Sequence, residues 1–509
     1  MAQGEARGTS DEAPSGGFSL GPPGPRQWSG WVLGPAVLLA TLLLPPPDGL
    51  GVEGWRTAGA GALMAVFWIT EPIPIPATAL LPLVLFPLLG LADINEAAAP
   101  FANPVIFLFL GGFVIALAME RWHLHRRVAV GLIGLMGTRP SSIVAGFLLA
   151  SALVSMWVSN TATALMMLPI ALSVARLVPA EGAATRERRD FGTVIVLAVA
   201  YGATSGGMAT LIGTPPNALL RGYMDETYGI VLDMGQWMLL GVPVMLVALP
   251  AVYLVLTRVM FTLGRQELPG MSALIAAERA RLGRLRGPEL AVAIVFALTA
   301  ACWIARPLIA RLAPLVSDTT IAIAGALLLF LIPVNLRRGE FVMSWEATGR
   351  IPWGVLLLFG GGLSLAGRID AHGLSTYLGE LAGGLDGLPM LLLLCLVCFG
   401  ILMLTELTSN TATAATFLPI TGALAVSLGQ NPLLFLIPTA LAANCSYMMP
   451  VGTPPNAIVY GSGLVTLPQM ARAGLLLNVT LVPILVGLLL LLGPMVFGVE
   501  IGVLPEWAR

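Results

Sequence analysis

Two polar phrases occur twice each in this chain, once in each half of an otherwise apolar sequence. The tripeptide Ser-Asn-Thr begins at Ser159 within SNTATALMMLPI and again at Ser409 within SNTATAATFLPI. A second phrase begins at Gly213 as GTPPNALL and at Gly452 as GTPPNAIV. Polar motifs that recur in two apolar halves are typical of membrane folds built from two structural repeats.

The duplication extends beyond these motifs. One constant offset relates Ser159 to Ser409 and Gly111 to Gly361. The offset between the two GTPPN phrases is smaller, so one half carries a longer connection between its motifs.

The composition predicts an integral membrane protein. The chain has 509 residues, of which 57% are hydrophobic and only 10% are charged, whereas soluble domains carry about 25% charge. Apolar runs recur from Trp31 to Phe497, and a run of about 20 residues crosses the hydrocarbon core of a bilayer. The net charge of −1 gives no sign of a nucleic-acid partner, and we predict none.

The apolar runs and the linkers between them divide the chain into segments. We predict a disordered cytoplasmic tail (1–27), N-terminal scaffold helices (28–102), a first inverted repeat with its GTPPN break (103–260), a cytoplasmic arginine-rich linker (261–289), further scaffold helices (290–340) and a second inverted repeat with its GTPPN break (341–509).

Arginine placement predicts the orientation. The segments RWHLHRR, RERR, the linker and NLRRGE belong on one side, and the positive-inside rule makes that side the cytoplasm. Arg306, Arg311 and Arg368 do not fit this assignment. We predict a plasma membrane, the inner membrane of a bacterium, with the N-terminus in the cytoplasm.

Each Ser-Asn-Thr lies between two short apolar arms. The first pair of arms covers about 141–157 and 165–177. Arms of this length permit either full crossings or a re-entrant hairpin with the tripeptide near the midplane. The second pair follows one more crossing, so it enters from the opposite side, and the two halves form an inverted repeat.

The motifs place polar backbone at membrane depth, where irregular chain is tolerated only beside a cavity or other protein. The proline pairs at Pro215 and Pro454 break their helices because proline removes an N–H donor. Carbonyls before such a break suit Na⁺, and amides at the next helix start suit a carboxylate or sulfate. Neither motif contains a basic residue, so a bound anion would depend on mobile Na⁺.

These phrases resemble the divalent anion/sodium symporters, which include sodium-coupled di- and tricarboxylate cotransporters. The likeness rests on TELTSNTAT from Thr405, SYMMPVGTPPNAIVYGSG from Ser446 and FLFLGGFVIALAMERWHLHRR from Phe107. It covers nearly the whole chain, about Trp31–Phe497. It implies an all-α homodimer of elevator type, with about 11 membrane helices and two re-entrant hairpins in each protomer.

The resemblance also implies site residues. It places one sodium site on Ser155, Ser159, Asn160 and Gly213, and another on Thr405, Thr408, Asn410 and Gly452. Substrate carboxylates would meet Ser159, Asn160, Thr161, Thr214 and Pro215 from one half, and Ser409, Asn410, Thr411, Thr453 and Pro454 from the other.

The function that follows is Na⁺-coupled import of C4 dicarboxylates such as succinate, malate or fumarate, with citrate as a further candidate. A sodium-independent dicarboxylate exchanger and a sodium/sulfate symporter are the alternatives on the same fold. An intramembrane hydrolase using Ser159 or Ser409 is disfavoured because no base is visible nearby. A channel is disfavoured because neither repeat carries a polar stripe through consecutive helices.

Several residues leave their roles open or point to packing. Glu406 follows Thr405, and its carboxyl is either functional or a hydrogen-bonded structural group. His123 and His125 lie in an arginine cluster, where we expect headgroup or interface contact. Cys395 and Cys398 have CxxC spacing inside an apolar run, which favours helix packing over redox chemistry. We predict no metal site of the His/Cys/Asp/Glu kind.

Overall fold

The computed structural model describes residues 24–178, 184–264, 266–381 and 387–508. These residues are mostly helical, as the sequence predicts. The helices are α1 (Pro25–Leu43), α2 (Val52–Thr70), α3 (Ile75–Thr78), α4 (Pro82–Leu89), α5 (Ile94–Ala98), α6 (Pro104–Arg121), α7 (Leu124–Ile133), α8 (Pro140–Ser155), α9 (Asn160–Ala175), α10 (Ala184–Gly207), α11 (Pro215–Tyr228), α12 (Met234–Leu254), α13 (Met271–Leu282), α14 (Gly287–Ile304), α15 (Arg306–Leu312), α16 (Asp318–Leu331), α17 (Trp353–Ala371), α18 (Leu374–Leu381), α19 (Met390–Thr405), α20 (Asn410–Ser427), α21 (Leu433–Asn444), α22 (Pro454–Tyr460) and α23 (Leu467–Phe497).

Short elements complete the chain. Strands β1 (Pro333–Asn335) and β2 (Glu340–Phe341) pair antiparallel. A π-helical turn, Val255–Met260, continues α12. The 3₁₀ turns are Ala99–Ala102, Leu336–Arg338, Trp345–Arg350 and Glu506–Ala508.

Helix α1 begins at Pro25, inside the segment predicted as a tail; residues 1–23 lie outside the described part of the chain. The predicted linker between residues 261 and 289 contains α13.

Five helical stretches of the described residues are long and apolar enough to cross a membrane: Ile94–Arg121, Met234–Met260, Gly287–Ile304, Trp353–Ala371 and Leu467–Phe497. Several shorter apolar helices accompany them, and three of these are arms of the Ser-Asn-Thr hairpins. The integral membrane character expected from composition is therefore carried by helices. The number of crossings remains a prediction.

Each Ser-Asn-Thr lies at the turn of a helical hairpin. Helices α8 and α9 form the first hairpin, and α19 and α20 form the second. The arm α8 has 16 residues, which makes it about 24 Å long. Because the hydrocarbon core is about 30 Å thick, an arm of this length suits a hairpin that turns back inside the membrane.

Each GTPPN lies at the restart of an interrupted helix. Helix α10 ends at Gly207 and α11 restarts at Pro215, while α21 ends at Asn444 and α22 restarts at Pro454. Both restarts have proline in the first turn, where the missing N–H is not needed by the helix. The proline pairs therefore end one helix and begin the next, as the sequence predicts.

Equivalent helices of the two repeats pack reciprocally, each against the opposite repeat. Helix α11 of the first repeat packs on α20 and α21 of the second, and α22 of the second packs on α9 and α10 of the first. Phe109 and Phe359 occupy the same position in the two repeats, and their rings meet edge to face with centroids 5.0 Å apart. This reciprocal packing brings both hairpin turns and both broken helices to one place.

Candidate functional site

A cavity of about 1030 Å³ lies between the two hairpin turns. All the predicted substrate contacts line it, namely Ser159, Asn160, Thr161, Thr214, Pro215, Ser409, Asn410, Thr411, Thr453 and Pro454. Of the predicted sodium ligands, Gly213, Thr408 and Gly452 also line the cavity. Ser155 and Thr405 lie behind it as fully buried side chains. The fold thus gathers residues from four distant parts of the chain around one space.

The first hairpin turn holds a cluster of oxygens. Ser155, at the end of α8, donates through Oγ to Asn160 Oδ1 at 2.5 Å. The Asn160 amide also faces Gly207, because a Cβ built on that glycine would lie 2.8 Å from Oδ1. Gly213 closes the group, since a Cβ there would lie 2.5 Å from the carbonyl oxygen of Gly207. These close approaches require glycine at position 213.

The second hairpin turn holds a matching cluster. Thr405 Oγ1 lies 2.8 Å from Asn410 Oδ1 and donates to the carbonyl of Ala443 at 2.8 Å. The same end of the Asn410 amide lies 3.3 Å from Ala443 O and 3.1 Å from Gly452 O. Four oxygen-bearing groups therefore converge on one point. Such a set of neutral oxygens suits a hard cation.

The orientation of the Asn410 amide decides what this cluster holds. With Nδ2 turned inward, its two N–H groups face three acceptors, Thr405 Oγ1, Ala443 O and Gly452 O, and they hold the cluster together without an ion. With Oδ1 turned inward, the proton of the Thr405 hydroxyl is the one donor among these four groups, so a cation would stabilise the remaining oxygens. The hydrogen bonds favour the orientation with Nδ2 turned inward, which satisfies the group without an ion.

Two predicted sodium ligands have their hydroxyls engaged elsewhere. Thr408 Oγ1 lies 2.6 Å from Thr413 Oγ1 and donates to the carbonyl of Leu404 at 3.0 Å. Ser159 Oγ caps α9 by accepting from the N–H of Ala162 at 3.3 Å. Each hydroxyl oxygen has two lone pairs, so each keeps one that an ion could use.

Glu406 lies in the second turn but is fully hydrogen-bonded there. Its carboxylate accepts from Ser446 Oγ at 3.0 Å, from Asn478 Nδ2 at 2.8 Å and from the backbone N–H groups of residues 447–449 at 2.8–3.1 Å. A carboxylate offers roughly four lone-pair positions, and these donors fill them. Of the two roles left open by the sequence, the geometry favours the structural one.

Sequence reasoning missed several groups of this site. Ala443 contributes only a carbonyl, which has no signature in a sequence. Arg26 and Arg350 line the cavity although neither belongs to a motif. Arg26 Nη2 donates to the carbonyl of Leu407 in the second turn at 3.2 Å. Arg26 was not predicted as a site residue because it lies in the segment predicted to be a disordered tail.

The fold and site together define a helical membrane transporter of two repeats, in which both repeats contribute to one central cavity. A family model described as the sodium:sulfate symporter transmembrane region matches residues 26–499. The chain belongs to that family.

Relatives in sequence support this assignment, and solved structures show a similar fold. The sodium-dependent dicarboxylate transporter SdcS of Staphylococcus saprophyticus is 41% identical over 93% of each chain. SdcS of Staphylococcus aureus strain USA300 is 42% identical over the same shares. In fold alone, the chain is similar to the YdaH transporter of Alcanivorax borkumensis, with a TM-score of 0.57 and 15% identity over 79% of this chain and 88% of that one. It is likewise similar to MtrF of Neisseria gonorrhoeae, with a TM-score of 0.55 and 12% identity over 92% and 95%.

Proposed function

We propose that this protein is a Na⁺-coupled symporter that imports C4 dicarboxylates such as succinate, malate or fumarate, with citrate as a further candidate. The observation that carries the proposal is the single cavity between two oxygen clusters, one from each repeat. The sodium-dependent dicarboxylate transporters named above share about two fifths of its residues over nearly the whole length.

The clusters supply the ion sites of the proposed cycle. One Na⁺ would lie at Ser155, Asn160 and Gly213, and another at Thr405, Asn410, Gly452 and the carbonyl of Ala443. Binding turns the Asn410 oxygen toward the ion and its Nδ2 away from the cluster. The N–H groups of the Asn410 amide are then free to donate to a carboxylate, so a bound ion supplies the anion with a hydrogen-bond donor.

The anion would lie between the clusters, where helices α9, α11 and α20 begin. These helices start at Asn160, Pro215 and Asn410, and all three residues line the cavity. A helix N-terminus presents free N–H groups and the positive end of the helix dipole. Two such ends come from opposite hairpins, an arrangement that suits a substrate with two carboxylates.

A second cavity of about 870 Å³ shares Ser159, Thr161 and Arg350 with the first, and its lining includes Arg121 and Arg126. Burial lowers the pKa of His125, another lining residue, so its ring is neutral at pH 7 and the arginines provide the positive charge. We infer that this vestibule opens the site to the cytoplasm.

With the vestibule on the cytoplasmic side, we place the N-terminus in the cytoplasm and the protein in the inner membrane of a bacterium. Each protomer of a homodimer would carry its site across by elevator movement of the hairpins against the scaffold.

Uptake into proteoliposomes tests the proposal. Radiolabelled succinate should accumulate above the external concentration when Na⁺ is outside, and should not accumulate when choline replaces it. Unlabelled succinate, malate, fumarate, citrate and sulfate should then be compared as competitors. Uptake undiminished in choline would replace the symporter with an exchanger, and competition by sulfate alone would assign a sulfate symporter.

A further inference from the structure

Three buried side chains form a hydrogen-bonded chain between the two repeats beneath the cavity. Thr214 Oγ1 donates to Asn444 Oδ1 at 2.5 Å, and Asn444 Nδ2 donates to Asn217 Oδ1 at 2.9 Å. The three residues are at most 4% exposed. Thr214 and Asn217 belong to the first GTPPN, whereas Asn444 ends α21 in the second half. This bridge crosses from one repeat to the other.

One end of the bridge reaches the first oxygen cluster. Asn217 Nδ2 donates to the carbonyls of Thr210 at 2.8 Å and Gly207 at 3.2 Å. Gly207 in turn lies against the Asn160 amide. Asn217 therefore fixes the direction of carbonyls in the broken segment that faces the first cluster.

The other end is continuous with the second oxygen cluster. Asn444 directly follows Ala443, whose carbonyl accepts from Thr405 and faces Asn410. A change in the direction of that carbonyl rotates the peptide plane that joins Ala443 to Asn444. A movement of the Ala443 carbonyl at the second cluster would therefore also move Asn444, whose side chain holds Thr214.

Among the described residues, the second GTPPN forms no equivalent bridge to a side chain of the first half. Asn456 takes the place of Asn217 in the second GTPPN and donates to the carbonyls of Ser446 and Met449, each at 3.1 Å. Its Oδ1 is buried without a hydrogen-bond partner within the described part of the chain. The first GTPPN is thus bonded to a side chain of the other half, whereas Asn456 of the second GTPPN donates to carbonyls of its own half.

The bridge also distinguishes the two GTPPN threonines. A hydroxyl has one proton to donate, and Thr214 donates its proton to Asn444. The Thr453 hydroxyl donates to no group among the described residues, so its proton is free for a carboxylate. Thr214 and Thr453 are equivalent in sequence but not in hydrogen bonding.

We propose that Asn444 is the positioning residue that couples the second sodium cluster to the first half of the substrate site, and that Thr214 acts through it rather than as a carboxylate donor. The inference rests on the proposed function. Sodium at the second cluster would fix the orientation of the Asn444 side chain. Asn444 would in turn fix the Thr214 hydroxyl and, through Asn217, the direction of the carbonyls beside Asn160.

The test measures KM for succinate uptake at low and at saturating Na⁺ in proteoliposomes. The ratio of the two values is the coupling factor, and couplings between sites are typically about 5- to 150-fold. Asn444→Leu removes the bridge at similar volume and should reduce this ratio about fivefold or more. Thr214→Val should reduce it similarly, Thr214→Ser should restore it, and the double variant should be no worse than either single variant. Thr453→Val should instead raise KM at every Na⁺ concentration.

Thr439→Val is the matched control. Thr439 is a fully buried residue of α21 whose hydroxyl donates to Thr421 in α20, so the coupling factor of this variant should equal that of the wild type. A wild-type coupling factor in folded Asn444→Leu overturns the inference. If Asn444→Leu does not elute as a single species in size-exclusion chromatography, a wild-type coupling factor in Thr214→Val overturns the inference instead. Wild-type protein without Na⁺-dependent uptake would instead contradict the proposed function.

Discussion

At the scale of single residues, the two asparagines of the hairpin turns carry the proposal. Each amide meets a buried hydroxyl, Asn160 that of Ser155 and Asn410 that of Thr405. Each also lines the cavity. An amide has both an acceptor and two donors, so it can contact an ion on one side and an anion on the other.

Replacing either asparagine should therefore abolish concentrative uptake. Asn160→Ala and Asn410→Ala each remove a ligand of the ion and a donor to the carboxylate. Each loss of about 1.4 kcal/mol in binding free energy lowers the affinity tenfold. The check is accumulation of radiolabelled succinate in a Na⁺ gradient. Asn95→Ala, at an exposed residue of α5, should transport normally. Normal accumulation by either hairpin variant would remove that asparagine from the site.

Gly452 is a residue whose lack of a side chain is needed. A Cβ at this position would collide with Ser446 Oγ and lie 3.2 Å from the carbonyl oxygen of Glu406. Gly452→Leu should therefore displace the carbonyl of residue 452 and raise the Na⁺ concentration for half-maximal uptake. Gly400→Leu is the control, because no heavy atom lies within 4 Å of a Cβ built there. An unchanged Na⁺ dependence in Gly452→Leu would contradict the second cluster.

At the scale of elements, the hairpins and broken helices could be predicted because proline and repeated polar motifs interrupt apolar runs. The Ser-Asn-Thr turns and the restarts at Pro215 and Pro454 occur where the sequence places them. The partners of the turns could not be predicted, because the groups that complete them are backbone carbonyls or distant side chains. Ala443 and Arg26 are of this kind.

Glu406 shows how the broken helix is held against its hairpin. Its carboxylate gathers the N–H groups of residues 447–449, which the break after α21 leaves without helical partners. Hydrogen bonds to a charged group contribute about 1.5–3 kcal/mol each. Glu406→Gln should therefore lower the thermal unfolding temperature of the purified protein and weaken Na⁺-dependent uptake.

Thermal unfolding followed by tryptophan fluorescence provides the measurement for Glu406→Gln. Glu500→Gln, at an exposed residue beyond the last long helix, should melt like the wild type. Equal melting of Glu406→Gln and wild type would mean that the carboxylate does not hold this segment.

At the scale of the whole molecule, the reciprocal packing of the repeats turns two incomplete sites into one. Helix α11 contacts the second hairpin, α22 contacts the first, and Phe109 meets its equivalent Phe359. A constant offset in the sequence predicts the repeats. It does not predict that Asn444 bonds the first GTPPN without a matching bond to the second, because that asymmetry arises where the repeats differ.

The claim that both hairpin turns share one pocket has a direct test. Thr161→Cys and Thr411→Cys each place a thiol in the cavity from one repeat, and the wild-type chain with its four native cysteines sets the background. The rate of modification by a membrane-permeant maleimide is measured with and without succinate, in Na⁺ and in choline. We expect succinate to protect both introduced thiols in Na⁺ and neither in choline. Protection of one thiol but not the other would contradict a site shared by the two repeats.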